Sequence, residues 1–143
     1  MSKKLFFEDV EVGSEIPTLV KHPTTRSLVK WAGASADWYE IHYDKDVAVK
    51  NGLPGVIVHG WVAFAGHGQA LQNWIGIDGD ICKIGCAYRG TLLPGHDVTY
   101  KGKVTKKYAE GGKNLVECEI TCLDDKGTVA NVATAVVSLP SKS

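Results

Sequence analysis

From His59 or Gly60 to Trp74, apolar residues recur at steps of three and four: Trp61, Phe64, Ala65, Gly68, Leu71 and, just beyond, Ile75. That spacing predicts a helix. Its polar face is thin, so it should be buried on most sides. Gly60, Gly66 and Gly68 also lie within it, and an interior glycine costs a helix about 1 kcal/mol relative to alanine. Close approach of a sheet or another helix to the backbone would account for them. Four strand-like segments follow. Cys82, Ile84, Cys86 and Tyr88 alternate with Lys83, Gly85 and Arg89; Val98, Tyr100 and Val104 alternate with Thr99, Lys101, Lys103 and Thr105. Val116, Cys118, Ile120 and Cys122 alternate with Glu117, Glu119 and Thr121, and Val129 to Leu139 is apolar on both faces, as in a central strand. Turns are expected at Pro94-Gly95, Glu110-Gly111-Gly112 and Asp124-Asp125-Lys126-Gly127. A long buried helix followed by an antiparallel meander predicts an α+β arrangement, with one curved sheet wrapping one helix.

The first half is more mixed. Leu5 to Val12 reads as a strand broken by Gly13, and Ile16 to Lys21 as a second extended piece between Pro17 and Pro23. Thr24 or Thr25 can cap a helix through Ser35, with Leu28, Val29 and Ala32 at helical spacing. Asp37 to Asp46 reads as a shaped loop. Asp44 to Lys50 can form a short helix closed by Asn51-Gly52, before a turn at Leu53-Pro54-Gly55. Repeats, low-complexity tracts and linkers are absent from the sequence, so residues 1–143 read as a single domain.

Composition narrows the function. With 44% hydrophobic and 22% charged residues, 143 residues suffice for a real core. Sixteen basic residues balance sixteen acidic ones, leaving no bulk field to attract nucleic acid or an anionic membrane. No apolar run approaches the ~20 residues that span a bilayer. The basic start Met1-Ser2-Lys3-Lys4-Leu5 is followed by Glu8, Asp9 and Glu11, unlike a secretory signal, so a cytoplasmic protein is expected. Cys82, Cys86, Cys118 and Cys122 form two C-x3-C pairs. Four thiolates could bind zinc, but without a Gly-rich turn inside either pair they read better as small inward-facing strand residues.

Asp37 and His42 are the candidate acid–base residues. On a helix they would stand about 140° apart, and on a strand on opposite faces, so they meet only if the chain bends between them. Spacing alone equally allows surface residues or helix caps. Gly60 opens the long helix, where first-turn N–H groups lack internal acceptors and could hold an oxygen gaining negative charge; equally, Gly60 could simply pack tightly. His22, His67 and His96 read as surface or packing residues. Trp38, Trp61 and Trp74 could line an apolar site or fill a core. Lys101, Lys103, Lys106 and Lys107 could meet phosphates or form a solvated strand face.

Phe7-x-Asp9-Val10-x-Val12-Gly13, Ala34-Ser35-x-Asp37-x4-His42-x-Asp44-x3-Ala48 and Gly52-x4-Ile57-x-His59-Gly60 together resemble the MaoC-like dehydratases, which include the R-specific enoyl-CoA hydratases. The similarity extends to Pro94-Gly95-x-Asp97. It implies a hot-dog fold, usually dimeric. It implies hydration of 2-enoyl-CoA to (R)-3-hydroxyacyl-CoA, or the reverse dehydration. Asp37 and His42 match the family's catalytic pair and Gly60 the glycine whose amide binds the thioester carbonyl. Trp38, Tyr39, His59 and Trp61 are the implied pocket neighbours. The implied substrate is an acyl-CoA or acyl-carrier-protein thioester, with CoA part of the substrate and no metal or redox cofactor. The partner is a second copy or another hot-dog chain, with no nucleic acid or membrane. The chain departs from the family's Ser-Gly-Asp-x-Asn-Pro-x-His at Ala36, Tyr39 and Glu40, with Tyr39 standing where the amide would be, and Gly68 replaces a serine common in the family. Those departures motivate a second expectation, a non-catalytic or half-site subunit of a heteromeric acyl-thioester dehydratase.

Overall fold

The computed structural model describes residues 4–142, so the Met1–Lys3 part of the basic start lies outside it. The expected first strand is not formed. Instead Phe7–Asp9 makes one 3-10 turn, closed by the Asp9 carboxylate accepting the Phe6 N–H at 3.2 Å. Local side-chain capping has competed successfully with the strand. This segment is held to the chain's other end, where the Phe7 N–H donates to the Pro140 carbonyl. β1 then spans Glu15–Lys21.

Thr24 and Ser27 form a reciprocal capping box at the head of α1, Thr25–Ser35, through Ser27 N–H to Thr24 Oγ1 at 3.2 Å and Thr24 N–H to Ser27 Oγ at 2.8 Å. Leu28 and Ala32 turn into the core, while Val29 is left exposed. α2, Lys45–Lys50, is capped by the Asp44 carboxylate, which accepts from the amides of Asp46 and Val47. Gly52 follows at φ +78°, a left-handed conformation that glycine adopts freely.

α3 runs Gly60–Ile75, as the spacing predicted, but its buried face is Ala63, Gly66, His67, Ala70, Leu71 and Ile75. Trp61 is 62% exposed and Ala65 is exposed, so two of the six expected stripe residues face outward in the single chain. The reason is the sheet's curvature. β2 (Asp80–Tyr88), β3 (Val98–Glu110), β4 (Lys113–Leu123) and β5 (Val129–Ser138) join β1 in the order β1-β3-β4-β5-β2, with every neighbouring pair antiparallel. α3 touches all five strands, and most extensively the two edges β1 and β2, so the sheet curls round one side of it. This is the hot-dog fold, in the α+β class.

The β3–β4 hairpin turns through Gly111 and Gly112, both at positive φ. Alternation in β4 buries Val116, Cys118, Ile120 and Cys122. The inward assignment of the cysteines fails for Cys82, which is exposed. A bulge between Ile81 and Lys83 shifts the register there, and β2 is an edge strand with one side unpaired by the sheet. All four cysteines are free thiols.

Candidate active site at the head of the long helix

The bend that Asp37 and His42 require is built in two steps. α1 ends at Ala36, whose φ of 61° and ψ of 17° lie in the left-handed region. Ser35 Oγ accepts the Asp37 N–H just beyond. Glu40–His42 then forms a 3-10 turn, with the His42 N–H donating to the Tyr39 carbonyl. Trp38 and Tyr43 brace this loop edge-to-face at 5.9 Å, and the Tyr43 hydroxyl donates to the Trp38 carbonyl.

His42 is buried, and its Nδ1 lies 2.8 Å from the Ile57 carbonyl. A carbonyl can only accept, so Nδ1 carries a proton, and the nitrogen left over for chemistry is Nε2. The Ile57 N–H in turn donates to the Ile41 carbonyl, locking the two segments together. His59, the residue before α3, is fully buried and stacks on His42 with ring centroids 3.8 Å apart and planes 19° apart. Its Nε2 is 3.3 Å from the Asp37 carbonyl oxygen, and its Nδ1 is buried without a hydrogen-bond partner among the described residues. Burial first, and then the neighbouring His42, push the His59 pKa below its ordinary value.

The Asp37 carboxylate and ring nitrogens of His42 and His59 all lie within 4.8 Å of one another. These atoms could hold either a water molecule or a divalent ion. Gly60 adjoins the cluster through His59, at the N-terminus of α3, where first-turn amides face outward with the positive end of the dipole.

The remaining predicted residues frame the mouth. Trp38 and Tyr39 are half-exposed. Tyr39 meets His42 edge-on at 6.2 Å, and its hydroxyl has no hydrogen-bond partner among the described residues, so the Ile57 carbonyl and not Tyr39 holds the histidine. Trp61 packs edge-to-face on Phe64 across from β2. Two participants escaped the sequence: the Ile57 carbonyl, which no side-chain pattern can reveal, and Tyr88, whose hydroxyl donates to the Gly60 carbonyl at 2.8 Å. Of the other histidines, His22 and His96 are exposed and paired with Asp97 and Asp125, while His67 is a fully buried packing residue bonded to Asn131 Oδ1. Trp74 packs against the core. Among the lysines, Lys107 departs from a solvated face: it is partly buried and donates to the Val10 carbonyl at 2.6 Å.

A long helix wrapped by an antiparallel sheet, with a carboxylate and two imidazoles gathered at its head, defines a hot-dog protein with a candidate acid–base site. The model of the MaoC like domain matches residues 8–124, and the chain belongs to that family of MaoC-like dehydratases. No curated protein sequence matches it. Among solved structures, the fold is similar to the (R)-hydratase from A. caviae involved in PHA biosynthesis, at a TM-score of 0.83 and 22% identity, covering 93% of this chain and 99% of that one. R-hydratase PhaJ1 from Pseudomonas aeruginosa superposes with a TM-score of 0.87 at 19% identity, over 97% and 88% of the two chains. A chain of the ChsH1-ChsH2 complex from Mycobacterium tuberculosis gives 0.80 at 24% identity, over 90% and 98%. No helix among the described residues is long and apolar enough to cross a membrane.

Proposed function

We propose that this protein hydrates 2-enoyl-CoA to (R)-3-hydroxyacyl-CoA, or dehydrates in reverse, using Asp37 and His42 as its acid–base pair. The observation that carries this reading is the convergence of the Asp37 carboxylate on the His42 ring, whose Nδ1 is tied to the Ile57 carbonyl. A water held between Asp37 and His42 Nε2 gives up a proton to the pair as its oxygen attacks C3. The negative charge moves through the enoyl system to the thioester oxygen, which the Gly60 amide stabilises. The pair then returns a proton to C2, so that water has added across the double bond. Hydroxyl and proton arrive from one small set of groups on one face, which fits a syn addition and an R product. The thioester is that of CoA or an acyl-carrier protein, and CoA is substrate, not a resident cofactor.

The test is loss of the enoyl-thioester absorbance when purified protein meets short and long 2-enoyl-CoA substrates. Asp37→Asn and His42→Ala should each lower kcat by roughly 10²–10⁴-fold, the usual contribution of general acid–base groups, with the folded state retained by circular dichroism. Full activity in both variants would overturn the assignment.

The pairing partner we infer is a second copy. β2 ends the sheet with an unpaired edge, beside a depression lined by Gly60, Trp61, Phe64 and Ile84. A different hot-dog chain would suit the same edge. Support for this second reading comes from the likeness to a chain of the ChsH1-ChsH2 complex and from the departures at Ala36, Tyr39, Glu40 and Gly68. It predicts an inert purified protein that turns over enoyl-CoA only after a second hot-dog chain is added.

A further inference from the structure

Between α1, β1 and α3 lies a cavity of about 520 Å³, within the size range of small-molecule sites. None of Asp37, His42 or His59 lines it, although its wall includes Val58, next to His59, and Ala34, three residues before Asp37. Its interior is apolar, formed by Val58, Val62, Ala63, Leu92 and the Tyr100 ring. Its rim is cationic. Lys21 and Lys30 both border it, and neither makes an ion pair with a carboxylate among the described residues. The Lys21 ammonium instead donates to Gln69 Oε1 at 2.7 Å across the opening, holding it over the cavity. The other titratable group on the rim, His22, is engaged at 2.8 Å with Asp97.

We propose that this cavity binds an apolar chain that ends in a carboxylate, with the chain inside and the carboxylate between Lys21 and Lys30. An aliphatic chain removes the apolar walls from water, and its anionic end meets two ammonium groups that the protein leaves uncompensated. A neutral chain would satisfy only the walls, and a compact anion only the rim. Two sources share this chemistry: a free fatty carboxylate, or the far end of an ω-carboxyacyl thioester whose reacting carbons sit at Asp37. The second source rests on the hydratase reading; the first does not.

Calorimetric titration of the full chain with decanoate, and separately with decan-1-ol, tests the site without calling on turnover. Decanoate should bind at least tenfold more tightly than the alcohol. Lys21→Met/Lys30→Met should erase that preference. Ala34→Trp, which places bulk in the wall and leaves both ammonium groups, should abolish binding of either probe. Equal affinity for acid and alcohol, or a decanoate affinity indifferent to the double lysine variant, overturns the proposal. Kinetics then separate the sources. A kcat/KM for an ω-carboxy-2-enoyl-CoA that falls at least tenfold in the double variant, with unchanged kcat/KM for a short enoyl-CoA, assigns the cavity to the substrate's far end. An unchanged kcat/KM in the double variant, together with decanoate binding that the unmodified protein shows and the double variant loses, assigns it to a free carboxylate. If the protein hydrates no enoyl-CoA at all, the calorimetric result stands by itself.

Discussion

Ala36 is the only non-glycine residue at positive φ among the described residues, and it stands directly before Asp37. The left-handed region costs an L-residue roughly 1–2 kcal/mol, part of which alanine recovers by restricting the unfolded chain. Ala36→Gly should therefore stabilise the protein by about 0.5–1 kcal/mol in urea unfolding, with activity retained because the bend itself is unchanged. The family's glycine at this place thus has a conformational reason, and the bend that joins Asp37 to His42 is made in spite of its loss. At the cluster, three ligand-type groups would accept a divalent ion as readily as a water. Hydration by acid–base groups needs only the water. Turnover unchanged after exhaustive chelation is the expected result, and loss of activity restored by a divalent metal would contradict the proposed chemistry.

Among the elements, α3 shows how similar residues take different roles. Its interior glycines look alike in the sequence, yet a Cβ on Gly66 would overlap the Tyr100 ring, while one on Gly68 would meet nothing within 4 Å. Tyr100 is held in place because its hydroxyl donates to the Ala63 carbonyl at 3.0 Å. Gly66→Ala should cost about 1–3 kcal/mol, the usual range for forcing bulk into a packed core. Gly68→Ala should gain up to about 1 kcal/mol from helix propensity. Paired thermal or urea unfolding of the two variants checks the contrast. Close packing was thus the right reason for one glycine and the wrong one for the other, because spacing along a helix does not say which strand residue lies opposite.

In the whole molecule, two histidines among the described residues, His59 and His67, are fully buried. Burial lowers the pKa of both His59 and His67 from the ordinary 6.5, partly offset at His67 by Asn131 and at His59 by the Asp37 carbonyl and charge. A histidine whose folded pKa is depressed binds its proton more readily once unfolded. Stability from these residues is therefore fully present above about pH 6.5 and is lost as pH falls from there towards the lower folded value. Urea midpoints should be flat from pH 7 to 8 and fall below pH 6.5, with His67→Gln reducing the slope. A slope unaltered in that variant would assign the acid sensitivity elsewhere. The outward stripe of α3 and the free edge of β2 likewise belong to this scale: light scattering should return twice the mass of one chain, and Trp61→Glu should shift the population towards monomer.

Periodicity by itself determined the elements that bury one face. α1 with a cap at Thr24 or Thr25, α3 within a residue at each end, and the alternating strands β3 and β4 were all legible, because hydrophobic burial repeats with the period of the backbone. The motif order pointed to Asp37, His42 and Gly60. Tertiary structure alone decided that Cys82 faces out and that Trp61 lies off the core. It alone brought Ile57 and His59 to His42. The bulge and the curl of the sheet are contacts between residues far apart in the chain, which leave no local period to read, while the cap at Asp9 is local and competes with the strand without a period of its own.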